Sequence, residues 1–149
     1  MVIVREAVET DCLDLAPRLR AEDVAEVWAS SRSSPLSALL SGLTAGKCWT
    51  ILGYEGEIVG MFGVAPIEGG PAGSPWMLCS EGLVGIQRDF IRQCPAWIDR
   101  MHEDYPVLWN AADTRNVVHL KWLRRCGFDF TATFTLNDIE FVQFMKTKE

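Results

Sequence analysis

The spacing of apolar residues predicts helices in the first third of the chain. A β-branched run at residues 2–5 predicts a first strand, and Thr10 can then cap a helix that extends to roughly Leu19. Apolar and acidic residues alternate at helical spacing in AEDVAEVWAS, from residue 21. A third helical stretch is predicted from Pro35 through Leu43.

From Lys47 the pattern changes to runs typical of strands. CWTILGY (48–54) and EIVGMFGVAPI (57–67) are rich in β-branched and aromatic residues, and Glu55 and Gly56 between them predict a tight hairpin turn. GGPAGSP (69–75) predicts a loop, because glycine, proline and serine dominate it. WMLCS (76–80) predicts the strand that follows.

The last part of the chain combines a long helix with three strands. Helical spacing extends over residues 88–105, where Pro95 predicts a kink or a division into two helices. After it the pattern predicts a strand, a helix and a closing hairpin, over VLWNAA (107–112), NVVHLKWLRRCGF (116–128), FDFTATF (128–134) and IEFVQFM (139–145). The hairpin should turn near Asn137 and Asp138.

This order of elements predicts an α/β (α+β) fold. Helices should flank a mixed central sheet that ends in an antiparallel hairpin. A length of 149 residues predicts one domain, residues 1–149, with no repeat or linker.

Charge and cysteine content restrict the function classes. A net charge of −6 argues against general binding of nucleic acid or of anionic membranes, because both would repel the average surface. No signal segment or membrane span is indicated, so we expect a cytoplasmic protein. Five dispersed cysteines and two histidines favour reduced thiols over a disulfide framework or a metal site.

Several strings resemble the GNAT superfamily of acetyltransferases. VREAVETD is similar to its opening strand and helix, GEIVGMFGV to its second hairpin, and NVVHLKWLRRCGF to its last helix and the strand after it. The resemblance implies a GNAT-like sheet, acetyl-CoA as the cofactor and transfer of an acetyl group to an amine.

A narrower resemblance is carried by Leu108–Asn110, Asn116, His119, Leu123 and Gly127. This block is similar to the GNAT-like internal virion protein A, or internal core protein, of short-tailed phages, and Trp76 and Ser80 fit that group too. It implies virion assembly as the role, a phage structural or host protein as the partner, and a location in the host cytoplasm or inside the virion.

Two departures from the superfamily pattern bear on activity. Its pyrophosphate motif is Arg or Gln, two residues, Gly, one residue, then Gly or Ala; here SEGLVGIQ (80–87) supplies Gly85, with Gly82 and Gln87 at the other two positions. Leu123 stands where many members place a tyrosine that protonates the departing thiolate. If a coenzyme binds, the resemblance assigns it to Cys79, Ser80, Leu83, Gly85 and Asn116.

His119 and Glu81 are the candidate catalytic residues. His119 falls on the apolar face of its predicted helix, which fits a hydrogen-bonded core histidine or a replacement acid or base. Glu81 follows the middle strand, where it is either solvated or a general base for the substrate amine. No metal ligand set is expected.

Three hypotheses follow. The first is a GNAT-fold protein of the phage type that has lost much of its acetyl-transfer apparatus and acts through protein contacts. The second is an active acetyl-CoA-dependent N-acetyltransferase. The third is a module that binds a coenzyme or acyl ligand without turnover.

Overall fold

Seven strands form one mixed sheet in the order β1-β2-β3-β4-β5-β7-β6. A computed structural model describes residues 2–149. The strands are β1 (Ile3–Glu6), β2 (Lys47–Leu52), β3 (Ile58–Pro66), β4 (Ala72–Cys79), β5 (Val107–Asp113), β6 (Asp129–Leu136) and β7 (Ile139–Thr147). The helices are α1 (Glu9–Leu15), α2 (Ala21–Ser31), α3 (Pro35–Ala45), α4 (Leu83–His102) and α5 (Val117–Arg125), with a 3-10 turn at Ala16–Arg18. This architecture confirms the predicted fold class.

The predicted loop at residues 69–75 is wrong in its second half. β4 already begins at Ala72 and pairs with β3 along its whole length, so Gly73 lies opposite Pro66 and Pro75 opposite Val64. Pro75 is tolerated in the strand because β5 no longer pairs with β4 at this position, so no N–H is needed there; its carbonyl accepts from the Asn110 side chain.

Two helix boundaries also differ from prediction. Thr10 does not cap α1; Val8 precedes the helix, and its N–H is satisfied by the Asp11 carboxylate at 2.9 Å. α1 ends at Leu15 and not near Leu19. α4 is continuous through Pro95, so the division into two helices is wrong. Buried Phe90 and Ile98 anchor α4 on both sides of Pro95, and this burial offsets the ~3 kcal/mol that an internal proline costs.

The sheet separates two apolar cores. α4 and α5 cover one face, where Phe62, Phe90, Trp122 and Phe144 are buried. α1, α2 and α3 cover the other, around Leu15, Leu39 and Met61.

Trp76 projects from β4 onto the face covered by α1 to α3, and its ring lies against Gly42 of α3. A methyl group on Gly42 would overlap the indole ring. The same ring lies over Gly63 of β3, where an added Cβ would be 3.0 Å from the indole nitrogen. The Trp76 ring therefore sits between two positions that have no side chain.

β4 and β5 are parallel but remain paired over only two positions, Ala72 with Val107 and Gly73 with Leu108. Beyond these the two strands diverge toward their carboxyl ends. This divergence opens a cleft in the middle of the sheet, and α2, α4 and α5 begin beside it. None of the helices formed by residues 2–149 combines the length and apolarity that crossing a membrane requires.

Candidate functional site

The backbone just before α2 occupies the open side of β4 at the cleft. Leu19 forms an antiparallel bridge with Ser80, and the Arg20 N–H donates to the Cys79 carbonyl at 2.9 Å. This segment therefore behaves as a very short strand added to the end of β4, at the point where β5 has turned away. The extended conformation of Arg20 permits this pairing.

Asp23 closes the same edge from the first turn of α2. Its Oδ2 accepts the Cys79 backbone N–H at 3.0 Å, although the two residues are 56 positions apart. Asp23 is 4% exposed. Both backbone groups of Cys79 that face the cleft are thus bound by the chain itself.

Asn116, immediately before α5, connects β5 to this carboxylate. Its Nδ2 donates to Asp23 Oδ1 at 2.8 Å and to Glu26 Oε1 at 3.3 Å, while its Oδ1 accepts from both terminal nitrogens of Arg20 at 3.4 Å. Glu26 Oε1 also accepts the Asp113 backbone N–H at 3.2 Å. These bonds tie α2 to the end of β5.

His119 completes the group on α5. Its Nδ1 lies 3.6 Å from Glu26 Oε2, a distance typical of an ion pair when the ring is protonated and slightly too long for a hydrogen bond. The ring is 8% exposed. We refer to Arg20, Asp23, Glu26, Asn116 and His119 as the cleft cluster.

Burial and charge shift the pKa values within the cleft cluster. Burial raises the pKa of Asp23 and outweighs the hydrogen bonds from Cys79 and Asn116. For His119, burial disfavours the charged ring, but Glu26 and then Asp23 outweigh it, so the pKa lies above its ordinary value. Glu26 and Asp23 therefore favour the protonated form of His119.

Solved structures with the same fold are numerous. A GCN5-related N-acetyltransferase from Kribbella flavida superposes with a TM-score of 0.73 at 17% identity, covering 99% of this chain and 98% of that one. An aminoglycoside acetyltransferase in complex with coenzyme A gives 0.71 at 16% identity, covering 99% and 95%. A Bacillus subtilis acetyltransferase in complex with coenzyme A gives 0.66 at 12% identity, covering 99% and 98%.

The chain has the GNAT fold. At these identities the likeness extends to the fold alone. No protein-family model matches the chain, and no curated protein matches it.

In this GNAT fold, the predicted site residues separate into two groups. Asn116, His119 and the backbone of Cys79 meet at the cleft cluster. Ser80 turns away from it, because both its N–H and its hydroxyl donate to the Val59 carbonyl, at 2.7 and 2.9 Å. Leu83 and Leu123 are buried core residues, and Leu83 lines a small cavity beside Asp23 and His119.

Glu81 and Gly85 lie on the surface at the start of α4. A Cβ built on Gly85 would meet nothing within 4 Å, so no neighbour in the chain requires a glycine there. The roles predicted for Glu81 and Gly85 remain predictions.

The connection between β4 and α4 is only Ser80–Gly82. The N–H groups at the end of this connection and in the first turn of α4 are bonded locally. Gly82 donates to Ser80 Oγ, Leu83 to the Ser80 carbonyl and Val84 to the Glu81 carbonyl, at 3.2–3.3 Å. The N–H groups that could cradle a pyrophosphate are therefore largely occupied.

Sequence reasoning missed three members of the cleft cluster, namely Arg20, Asp23 and Glu26. Asp23 fits an ordinary first helical turn, where negative charge complements the helix dipole, and Glu26 follows within the same helix. One signal was available. Asp23 precedes the buried Val27 by four positions, which places a carboxylate on the inward face of α2. Among residues 2–149, no group of His, Cys, Asp and Glu side chains has the geometry to hold a metal ion.

Proposed function

We propose that this chain is a GNAT-fold protein whose acyl-CoA cleft is closed by its own residues, and that it acts through protein contacts as an internal component or assembly factor of a phage virion. The partner would be a phage structural protein or a host protein. Its site of action would be the host cytoplasm or the virion interior.

One observation carries the first half of the proposal. Both cleft-facing backbone groups of Cys79 are bound within the chain, the N–H by Asp23 and the carbonyl by the backbone of Arg20. A pantetheine arm lying along β4 would have to displace α2 and leave the Asp23 carboxylate without its partners. Removing partners from a buried carboxylate costs several kcal/mol, so the residues present do not fit the coenzyme in this arrangement.

The local bonding of the β4–α4 connection supports the same interpretation. A coenzyme pyrophosphate needs free N–H groups at a helix N-terminus, whereas those of Gly82, Leu83 and Val84 already have partners. Leu123 is 6% exposed and aliphatic, so α5 supplies no proton donor at that position.

The residues that carry the phage resemblance support the second half. Three of them contact the cleft directly: Asn110 donates to the Pro75 carbonyl across the diverging strands at 2.8 Å, and Asn116 and His119 belong to the cleft cluster. The block that resembles the phage proteins therefore supplies partners to Asp23 and Glu26, on the helix that closes the cleft. A family built for contacts rather than acetyl transfer would retain such residues.

The test combines coenzyme binding with turnover. With 1 mM acetyl-CoA or coenzyme A, the melting temperature should stay within about 1 °C; a ligand at 100 times its Kd would add about 2.7 kcal/mol, or roughly 5–10 °C for a domain of this size. Released coenzyme A should be measured by chromatography, because the protein has five thiols of its own. A coenzyme-binding aminoglycoside acetyltransferase serves as the positive control.

The virion part is tested separately. Mass spectrometry of purified phage particles whose genome encodes the chain should detect it as a constituent, and deletion of the gene should reduce infectious particles. Absence from particles together with normal assembly of the deletion mutant would contradict this part.

A second candidate is an acetyl-CoA-dependent N-acetyltransferase. The early divergence of β4 and β5 favours it, as do the coenzyme A complexes of two structures with this fold. A large melting shift together with acetylation of an amine panel would select this candidate. A shift without product would select a ligand-binding module.

A further inference from the structure

Two cysteines, one in α4 and one at the end of α5, line an apolar cavity that His119 of the cleft cluster also borders. Cys94 lies in the middle of α4 and is 4% exposed, while Cys126 ends α5 and is only partly buried. The cavity has a volume of about 50 Å³ and is also lined by Trp97, Ile98 and Trp122. The two thiols therefore meet where α4 packs against the end of α5.

The thiols interact with each other. When both are protonated, the Cys94 thiol donates to the Phe90 carbonyl at 3.3 Å. It also lies within hydrogen-bonding reach of the Cys126 sulfur. This hydrogen bond lowers the pKa of Cys126 despite its burial, and the same interaction raises the pKa of Cys94. The lesser burial of Cys126 also favours it as the thiolate of the pair.

Cys126 is also the thiol that reagents can reach. It lines a surface groove of about 520 Å³ between the end of α4 and the end of β7, and Lys146 lines the same groove. Cys126 and Ile98 are the residues that border both the groove and the apolar cavity. A small reagent in the groove therefore meets Cys126 before Cys94.

The other three cysteines are neither accessible to reagents nor lowered in pKa. Cys12, Cys48 and Cys79 are buried. Burial raises the pKa of each thiol, in the case of Cys48 to about 12. The contrast marks Cys126 as the single accessible nucleophilic thiol of the described chain, with Cys94 placed behind it.

We propose that Cys126 and Cys94 form a peroxide-sensitive thiol pair, in which Cys126 is the reacting thiol and Cys94 the resolving one. The Cys126 thiolate attacks one oxygen of hydrogen peroxide and the O–O bond breaks; a sulfenic acid and hydroxide form, and the hydroxide takes up the proton that Cys126 had released to give water. The Cys94 sulfur then attacks the Cys126 sulfur and the S–O bond breaks; the departing hydroxide takes up the Cys94 thiol proton and leaves as a second water. Two thiols and one peroxide give one disulfide and two waters, so the sulfurs lose two electrons and the peroxide gains them.

The disulfide would link α4 to the end of α5 around the apolar cavity. Treatment with a small excess of hydrogen peroxide should lower the thiols counted after denaturation from five to three, and the intact mass should fall by about 2 Da. Peptide mapping should find one cross-linked pair, containing Cys94 and Cys126. Five remaining thiols, or a disulfide between other cysteines, would overturn the proposal.

Single variants separate the two roles. Cys126→Ser should abolish both sulfenic acid and disulfide, whereas Cys94→Ser should stop at a sulfenic acid on Cys126 that dimedone traps. Cys12→Ser is the matched control, because it removes a buried thiol of the opposite core, and it should form the disulfide as the wild type does. If Cys94→Ser fails to fold, the rate of iodoacetamide labelling in the wild type decides: labelling must be fastest at Cys126, and faster labelling elsewhere would contradict the assignment.

Discussion

Asn116 Nδ2 lies 2.8 Å from Asp23 Oδ1, and this one hydrogen bond joins α5 and β5 to α2 across 93 residues of chain. Both residues are buried, at 1% and 4% exposure. The carboxylate has no solvent to replace a lost partner, so the pair should contribute to stability as well as to closure of the cleft.

Asn116→Ala should therefore lower the free energy of unfolding by about 2–3 kcal/mol, because it leaves a buried carboxylate and the Arg20 guanidinium short of partners. Urea unfolding at pH 7 measures this. Asn116→Asp keeps the size but places a second carboxylate beside Asp23, so it should be more destabilising at pH 7 and recover toward pH 4. A loss below 0.5 kcal/mol for Asn116→Ala would contradict the role given to this bond.

The His119–Glu26 pair predicts how stability depends on pH. The folded-state pKa of His119 is raised, so the stabilisation is fully present below the ordinary imidazole value, about 6.5, and is lost as pH rises through the higher folded value. Urea unfolding between pH 5 and pH 9 should show this loss in the wild type. Glu26→Gln should flatten it, and NMR titration should then find a lower His119 pKa. An unchanged His119 titration in Glu26→Gln would show that Glu26 is not the cause.

Gly73, opposite Leu108, is the last position at which β4 pairs with β5. A Cβ there would lie 2.6 Å from the Tyr105 ring and 2.8 Å from a Val64 methyl. Gly73→Ala should therefore cost about 1–3 kcal/mol through overpacking. Gly70→Ala is the matched control, because nothing lies within 4 Å of its added methyl, and it should stay within about 0.5 kcal/mol. Equal effects of the two substitutions would remove close packing as the reason for Gly73.

The β6–β7 turn offers a stabilising substitution. Asn137 and Asp138 both have positive φ, 51° and 65°, as the predicted tight turn requires. Asn137 also donates to the Ala29 carbonyl at 2.8 Å and should be kept. Asp138→Gly should raise the free energy of unfolding by about 0.5–1 kcal/mol, since glycine adopts this conformation without steric cost. Asp138→Ala, the control, should lower it; the reverse order would contradict the strain argument.

The sequence was sufficient for the order of elements but not for the site. Local spacing of apolar residues indicates strands and helices, and the turn near Asn137 and Asp138 was predicted at the position where it occurs. The predicted start of β4 was too late, because glycine and proline normally mark loops. Here the Tyr105 ring requires a glycine at position 73, and the Pro75 carbonyl accepts from Asn110. Such reasons lie in tertiary contacts.

The cleft cluster was harder still to predict from the sequence. Asn116 and His119 were singled out because of a family resemblance and an inward helical face. Their partners on α2, Asp23 and Glu26, lie about 90 residues earlier in the chain, and Asp23 fits an ordinary helix start equally well. Only the folded chain brings the α2 residues into contact with Asn116 and His119, and this contact closes the cleft.

The Trp76 ring packs against both Gly42 and Gly63, and the indole limits which residues can stand at position 42. A larger residue at Gly42 has room only if the indole is exchanged for something smaller, and a smaller residue at position 76 leaves a void against α3. At Gly63 an added Cβ would also lie 2.4 Å from the Lys47 carbonyl oxygen, so no exchange at position 76 makes room there. Among related sequences, positions 42 and 76 should therefore change in concert or stay fixed, whereas position 63 should stay glycine whatever activity the protein has.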